Sequence, residues 1–268
     1  MSQTIGVLGC GWLGLPLAKA FLNDGHRVLG STTSAEKLDD LSTVGIEPYL
    51  ISIKEDQIEG PLEEFLDEID ILVVNVPPKM RGDNYESYYK KMKTLQQTIP
   101  KSKTINILFV SSTSVYGETK GTITENTKPI PTSRPGKELL LSEKMFTDPH
   151  KKDASVVRFG GLIGGNRHPI NQLTGRTGLK NGNDPVNLIH REDCIRLISY
   201  IIDNKLWGEV FNGVYPEHPL KKDYYISQAK KRGLKPPVYD EFEGAKNAKF
   251  IKSKYFLNKS EVFKTDIN

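Results

Sequence analysis

The sequence predicts an α/β fold built on a doubly wound parallel sheet. Three observations predict it. Short apolar runs alternate with amphipathic stretches of helical period. Residues 69–76, Ile-Asp-Ile-Leu-Val-Val-Asn-Val, are apolar almost throughout, as a central strand buried on both faces requires. A glycine-rich turn joins the first apolar run to the first amphipathic stretch.

Residues 5–8 read as the first strand. Gly9, Gly11 and Gly14 follow in G-x-G-x-x-G spacing, and Leu13, Leu17 and Phe21 then share one helical face until Gly25 stops the helix. The first glycine permits a tight turn, the second admits a pyrophosphate to the backbone, and the third lets the helix lie on the sheet. The free N–H groups of the helix N-terminus favour phosphate. Gly9, Gly11, Trp12, Leu13 and Gly14 are therefore assigned to a dinucleotide; a glycine turn that binds nothing is the alternative. Residues 26–29 form a second strand, and Gly30-Ser31-Thr32-Thr33-Ser34 follows where the adenosine ribose is expected. An NAD site usually places an acid there. Residues 28–35 contain none; they offer four hydroxyls, with Lys37 a turn later. Thr32, Thr33 and Ser34 are read as cofactor contacts, and NADP is favoured over NAD because a carboxylate would repel a 2′-phosphate. The competing role for Ser34 is to cap a helix beginning at Ala35.

Residues 48–53 read as a third strand, and Pro61 opens a short helix over Phe65 and Leu66. The central run ends at Pro77-Pro78. Ligands of doubly wound sheets lie beyond the carboxyl ends of strands, so Val76 and Pro77 are placed at the cofactor cleft. Lys79 to Asn84 reads as a polar loop, and Tyr85, Tyr88, Tyr89 and Met92 open a helix in which the tyrosines pack. Residues 105–110 are the fifth strand and run into Ser111-Ser112-Thr113-Ser114-Val115-Tyr116-Gly117.

The glycine loop, the buried strand and this serine-rich segment resemble the extended and atypical short-chain dehydrogenase/reductases, the NAD-dependent epimerase/dehydratase group. The resemblance covers most of the chain. It implies a Rossmann-type doubly wound parallel sheet with a small C-terminal substrate-binding region. One NAD(P)-binding domain would then span residues 1–268, with residues 160–268 contributing the substrate-side loops and C-terminal lobe. It implies that Ser112 hydrogen-bonds a substrate hydroxyl or carbonyl. Residues 156–164 look like the family's sixth strand and the loop that closes on the nicotinamide, which places Phe159 and Gly161, with Ser111, at the cofactor. Residues 187–193 look like its Ile-His-x-x-Asp segment, and residues 211–213 like its late strand.

The family's chemistry uses Tyr-x-x-x-Lys: the ammonium lowers the phenol pKa, and the phenolate moves a proton while hydride moves. The matching segment here runs from Pro131 to Glu143. Gly136 and Glu143 hold the register, and Pro135 and Leu139 stand where the tyrosine and lysine are expected. Three accounts follow. Another group substitutes, with Tyr116 a candidate catalyst beside Ser112 and Lys137 or Lys144 near the lost lysine. Alternatively, the chain binds a dinucleotide and catalyses nothing, as a sensor does. Or hydride transfer persists slowly on binding and Ser112 alone. The family's equivalent of Tyr116 is ordinarily structural, and Lys137 reads more readily as a solvated helix charge than as a catalyst.

Residues 164–171 and 176–183 are rich in Gly and Asn and carry Arg167, Asn171, Arg176 and Lys180. Arginine forks suit phosphate or carboxylate. Arg167, Asn171 and Lys180 are therefore assigned to a small polar, anionic substrate of the sugar-nucleotide kind, with solvated loop charges as the alternative. His190 reads as structural. No His, Cys or acid stands at metal-ligand spacing, so no metal is expected. Residues 192–203 and 220–231 read as helices. Phe250 with Tyr255-Phe256-Leu257, beside a basic stretch from Lys246 to Lys254, fastens the last part of the chain onto the fold.

A chain of 268 residues with 37% hydrophobic content can fill a core. The net charge of +4 is too small and dispersed for a nucleic-acid surface but suits a phosphorylated ligand. Cys10 and Cys194 read as free thiols in a reducing compartment. Neither a leader nor a bilayer-length apolar run is seen. A soluble, cytoplasmic protein with a small-molecule substrate is expected, with no nucleic-acid or membrane partner; its oligomeric state is open. A third reading, a β-hydroxyacid dehydrogenase-like enzyme, rests on Asn75-Val76-Pro77-Pro78. It needs an all-helical second half, against which strand-like Val210-Phe211-Asn212 stands.

Overall fold

Apolar alternation and glycine stops partition the chain into repeating strand–helix units. The computed structural model describes residues 2–78, 86–99, 105–147, 153–240, 248–256 and 261–268. The main strands are β1 (Thr4–Leu8), β2 (Arg27–Thr32), β3 (Glu47–Leu50), β4 (Ile71–Val74), β5 (Asn106–Ser112), β6 (Ala154–Phe159) and β7 (Val210–Gly213). The helices are α1 (Gly14–Asn23), α2 (Leu38–Thr43), α3 (Leu62–Asp67), α4 (Tyr88–Thr98), α5 (Arg134–Phe146), α6 (Ile170–Leu173), α7 (Arg191–Asp203) and α8 (Lys221–Lys231). The seven strands form one sheet in the order β7-β6-β5-β4-β1-β2-β3. Every neighbouring pair is parallel. The strand order reverses between β1 and β4, so the crevice at their carboxyl ends is the place where such a sheet offers room for a ligand.

Alternation within each strand feeds two helical layers. Val7, Ile71, Val73 and Leu108 join α1 and α7 on one face. Leu8, Leu72, Val74 and Phe109 join α3, α4 and α5 on the other. Most predicted elements are found, with shifted ends. β2 continues through Gly30, Ser31 and Thr32, which the sequence suggested as loop, because its last four residues pair with β3. The third strand ends at Leu50, and Ser52–Ile53 instead forms an antiparallel hairpin with Ile58–Glu59. Gly60 allows the hairpin to close: a Cβ there would lie 2.0 Å from the Leu50 carbonyl oxygen. Tyr88 and Met92 are buried on α4, and the Tyr88 hydroxyl donates to the Val76 carbonyl at 3.0 Å. Residues 79–84, Tyr85, Lys246 and Leu257 lie outside the described residues. Phe250 sits on a short strand, Lys249–Ile251, paired with Gly121–Ile123. Phe256 is buried against Phe211 and Tyr200.

Beneath the carboxyl ends of β5 and β6 lies a buried ionic network. Arg158, the one charge in β6, meets Glu143 of α5 at 2.6 Å with both side chains almost fully buried. The Ser111 hydroxyl donates to Glu143 Oε1 at 2.6 Å. Arg158 also donates to the Tyr116 hydroxyl at 2.9 Å, and that hydroxyl donates to Asn212 Oδ1 at 2.9 Å. Burial disfavours a charged guanidinium, but the hydrogen bonds and charge of Glu143 outweigh it and raise the Arg158 pKa. Five segments, β5, the turn Thr113–Tyr116, α5, β6 and β7, are thereby tied at one point.

A third apolar cluster, including Ile170, Leu188, Tyr224, Ala229 and Ile267, lies in the C-terminal part. His168 stacks on Tyr224 and shares a 3.0 Å hydrogen bond with its hydroxyl. The other ring nitrogen, Nδ1, accepts from the Ile170 N–H at 3.1 Å. Among the described residues no helix is long and apolar enough to cross a membrane.

Two stability outcomes follow. Arg158→Met leaves Glu143 buried without its cation and lowers unfolding free energy by about 3–5 kcal/mol; urea unfolding measures this, and adding Glu143→Leu recovers part of the loss. Burial holds the His168 pKa down to about 4 from its ordinary 6.5, so the unfolded chain takes the proton first. Its contribution is complete above pH 6.5 and is lost as pH falls towards about 4. Thermal melts of His168→Gln should therefore decline less steeply over that interval than those of the parent.

Candidate functional site

At the carboxyl end of β1 the three glycines do different work. Gly9 adopts φ +105°, which a side chain would strain, and a Cβ there would lie 2.8 Å from the Asn75 carbonyl oxygen. Gly14, the first residue of α1, packs against the loop so closely that a Cβ would lie 2.1 Å from the Gly9 carbonyl oxygen. That same oxygen accepts from the Asn75 side-chain amide at 3.0 Å. The Gly9 N–H donates to Ser31 Oγ at 2.9 Å, and the Cys10 N–H donates to the Ser31 carbonyl at 2.8 Å. Gly11 is the exception: a Cβ there would meet nothing within 4 Å. The loop is clamped at both ends and open at its middle. No side chain caps α1, and no acid lies in its first turn. The Leu15 and Leu17 N–H groups donate to the Gly11 and Leu13 carbonyls at 3.0 and 3.1 Å and Pro16 has none, so what the helix start offers an anion is its positive dipole end. Leu13 is buried, anchoring the loop to the core, and Trp12 is half-buried at the rim. Val76 and Pro77 follow β4 beside Gly9. This cradle fits the diphosphate of a dinucleotide.

The end of β2 corrects part of the sequence reading. Of the four hydroxyls, Ser31 and Thr32 are buried and engaged by backbone N–H groups: Ser31 Oγ accepts from Gly9, and Thr32 Oγ1 accepts from the Ser34 N–H at 3.2 Å. Thr33 is exposed and Ser34 half-buried. Ser34 does not cap the short helical turn Ala35–Lys37 through its side chain.

At the end of β5, Ser112 is half-buried and its hydroxyl accepts from the Ser114 N–H at 3.2 Å. Two of the assigned side chains are engaged within the protein. Tyr116, a candidate catalyst, is fully buried with its hydroxyl held between Arg158 and Asn212, and burial pushes its pKa up despite the arginine. Ser111, assigned to the cofactor, is buried and committed to Glu143. Pro135 occupies the first turn of α5, and Leu139 is buried in the core. Lys137 and Lys144 are exposed on α5. Phe159 is buried against Gly213, while Gly161 is exposed and its strand pairs with Leu188–His190. His190 Nδ1 caps α7 by accepting from the Glu192 N–H.

The substrate assignments separate. Arg167 comes to the glycine loop, its guanidinium carbon 5.0 Å from the Trp12 ring centroid. Arg191, which the sequence did not single out, lies 5.4 Å from the same ring. Both line a cavity of about 510 Å³ with Trp12. Asn171 donates to the Asn166 carbonyl at 3.0 Å, and Lys180 is exposed. Beside Lys180, a second cavity of about 390 Å³ is lined by Glu118, Asn181, Asp184, Lys221, Tyr225 and Lys249. None of these six was predicted. The acid–base pairing of Asp184 and Lys221, 37 residues apart in sequence, is visible only after folding. Among the described residues no group of three or more His, Cys, Asp or Glu could hold a metal ion. Cys10 and Cys194 are buried free thiols, and burial pushes the Cys10 pKa up to about 12.

The family model for the NAD binding domain of 6-phosphogluconate dehydrogenase matches residues 4–128. Beyond them the chain adds β6 and β7 to the same sheet, in place of the all-helical second half that the third sequence reading needed. Protein YeeZ of Escherichia coli strain K12 is 30% identical over 239 residues, 88% of this chain and 86% of that protein. The fold matches UDP-N-acetylglucosamine 4-epimerase from Bacillus cereus with a TM-score of 0.77 at 19% identity, over 100% of this chain and 95% of that one. It also matches UDP-glucuronic acid 4-epimerase from Bacillus cereus in complex with UDP-glucuronic acid and NAD. There the TM-score is 0.74 at 20% identity, over 99% and 94% of the two chains.

The glycines predict opposite responses to one methyl group. Gly14→Ala overpacks the loop and costs about 1–3 kcal/mol, while Gly11→Ala changes stability by less than ~0.5 kcal/mol. Chemical denaturation of both variants checks the contrast.

Proposed function

The chain belongs to the family of Escherichia coli Protein YeeZ, and from its site we propose that it binds an NAD(P) dinucleotide across Gly9, Gly11, Trp12, Leu13 and Gly14 and presents it to a small polar substrate beside Ser112. The single observation that carries this reading is the open face of Gly11 between two glycines packed to contact. A bound nicotinamide supplies hydride chemistry. The chain's own part is to hold the diphosphate on the glycine loop, close the ribose end with Thr33 and Ser34, and line the cleft with Val76, Pro77 and Gly161, with Phe159 packed behind them in the core. Ser112 Oγ hydrogen-bonds the reacting oxygen of the substrate. A nucleotide-linked sugar is the favoured substrate class, because the loops beyond β6 carry Arg167, Asn171 and Lys180. NADP is favoured over NAD, since Thr33 is the exposed group at the end of β2 and residues 28–35 hold no carboxylate. The location consistent with this is the cytoplasm.

A second reading is favoured by α5. Pro135 and Leu139 occupy the positions of the resembled family's tyrosine and lysine, and Leu139 is buried in the core. Tyr116 offers no replacement, being sealed behind Arg158. A dinucleotide-binding protein without turnover is the outcome if Ser112 alone does not suffice.

Calorimetric titration with NADPH and NADH tests both readings. NADPH should bind more tightly, Gly11→Val should abolish binding of either without lowering the melting temperature, and Thr33→Asp should shift the preference towards NADH by about tenfold. Absence of binding by the parent protein overturns the proposal. Turnover of sugar nucleotides or simple carbonyl compounds that Ser112→Ala abolishes favours the enzyme; binding with no turnover favours the silent form.

A further inference from the structure

The 510 Å³ cavity at the rim of the glycine loop is lined by Trp12, Gly165, Asn166, Arg167 and Arg191. Its charge is one-sided. The Arg167 and Arg191 guanidiniums lie 5.0 and 5.4 Å from the centroid of the Trp12 ring. Among the described residues Arg167 is joined to no carboxylate. Arg191 reaches only Glu192, at 3.6 Å, and its Nε is buried without a hydrogen-bond partner among the described residues. Two neighbouring cations repel each other, and the positive end of α1 adds to them. An aromatic face offsets part of that repulsion. The remainder calls for an anion.

The two arginines are held in place from behind. Gly164 and Arg167 exchange backbone hydrogen bonds at 3.0 and 3.1 Å, which fixes the turn that carries Arg167. A Cβ on Gly164 would lie 3.0 Å from His190 Nε2 and 3.1 Å from the Arg191 Cβ, so the turn rests on the start of α7. Arg191 is the first residue of α7, and His190 caps that helix. Both forks therefore start from packed backbone, which lowers the ordering cost of gripping a ligand.

We propose that Arg167 and Arg191, braced on Trp12, form a side-chain clamp for a phosphoryl group lying against the outer side of the glycine loop. The inference rests on the dinucleotide reading above and adds to it the residues that hold the anion from outside the backbone cradle. A dinucleotide and a nucleotide-linked substrate both carry such a group, and separate titrations distinguish them. Arginine forks bind phosphate oxygens in pairs, so the loss of either weakens the grip.

The test uses the full chain with Trp207→Phe, leaving Trp12 as its single indole. Trp12 emission is followed during titration with NADPH, with UDP-glucose and with inorganic pyrophosphate. Arg167→Gln and Arg191→Gln should each weaken a phosphorylated ligand about tenfold and together about a hundredfold, the difference shrinking as salt is added. Melting curves confirm that the variants fold. Weakened NADPH supports the clamp and assigns it to the cofactor diphosphate; weakening confined to UDP-glucose supports it and assigns it to the substrate. If the parent binds NADPH and the double variant binds all three ligands equally well, the clamp is overturned while the dinucleotide reading stands. If the parent binds no dinucleotide, that reading falls, and the clamp is retained only if the double variant loses pyrophosphate binding.

Discussion

The contact between the Gly9 carbonyl and the Cα of Gly14 sets the geometry on which the rest depends. It lets α1 begin directly over the end of β1, with its positive dipole end towards the glycine loop. Asn75, at the end of β4, locks the same carbonyl with its side-chain amide. Ser31, at the end of β2, holds the Gly9 N–H from the other side. Three adjacent strands thus converge on one turn of backbone, and Gly11 is left as the place where a ligand can approach.

The second organising feature is electrostatic. A buried arginine and glutamate are costly to desolvate, and the cost is offset only where further hydrogen bonds complete the pair. Here Ser111, Tyr116 and Asn212 complete it. This arrangement joins α5 to the sheet, and it has a chemical consequence. Tyr116, four residues after Ser112, is held as a framework group, while the Ser112 hydroxyl stays half-buried at the end of β5.

The glycine spacing, the buried central strand and the alternation of strands with amphipathic stretches were enough to determine the parallel sheet, the ligand crevice and the open cradle. These are local signals: periods of two and 3.6 residues, and backbone conformations that glycine permits. Strand ends were less legible, because β2 is extended through Thr32 by its pairing with β3. The tertiary structure alone decided what each polar side chain faces. Tyr116 meets Arg158 across 42 residues and Asn212 across 96, and Arg191, at the start of α7, meets Trp12 beside α1. Periodicity says which face a residue lies on. It does not say which distant charge will be waiting there, since that is fixed only when the layers close and each buried polar atom must find a partner.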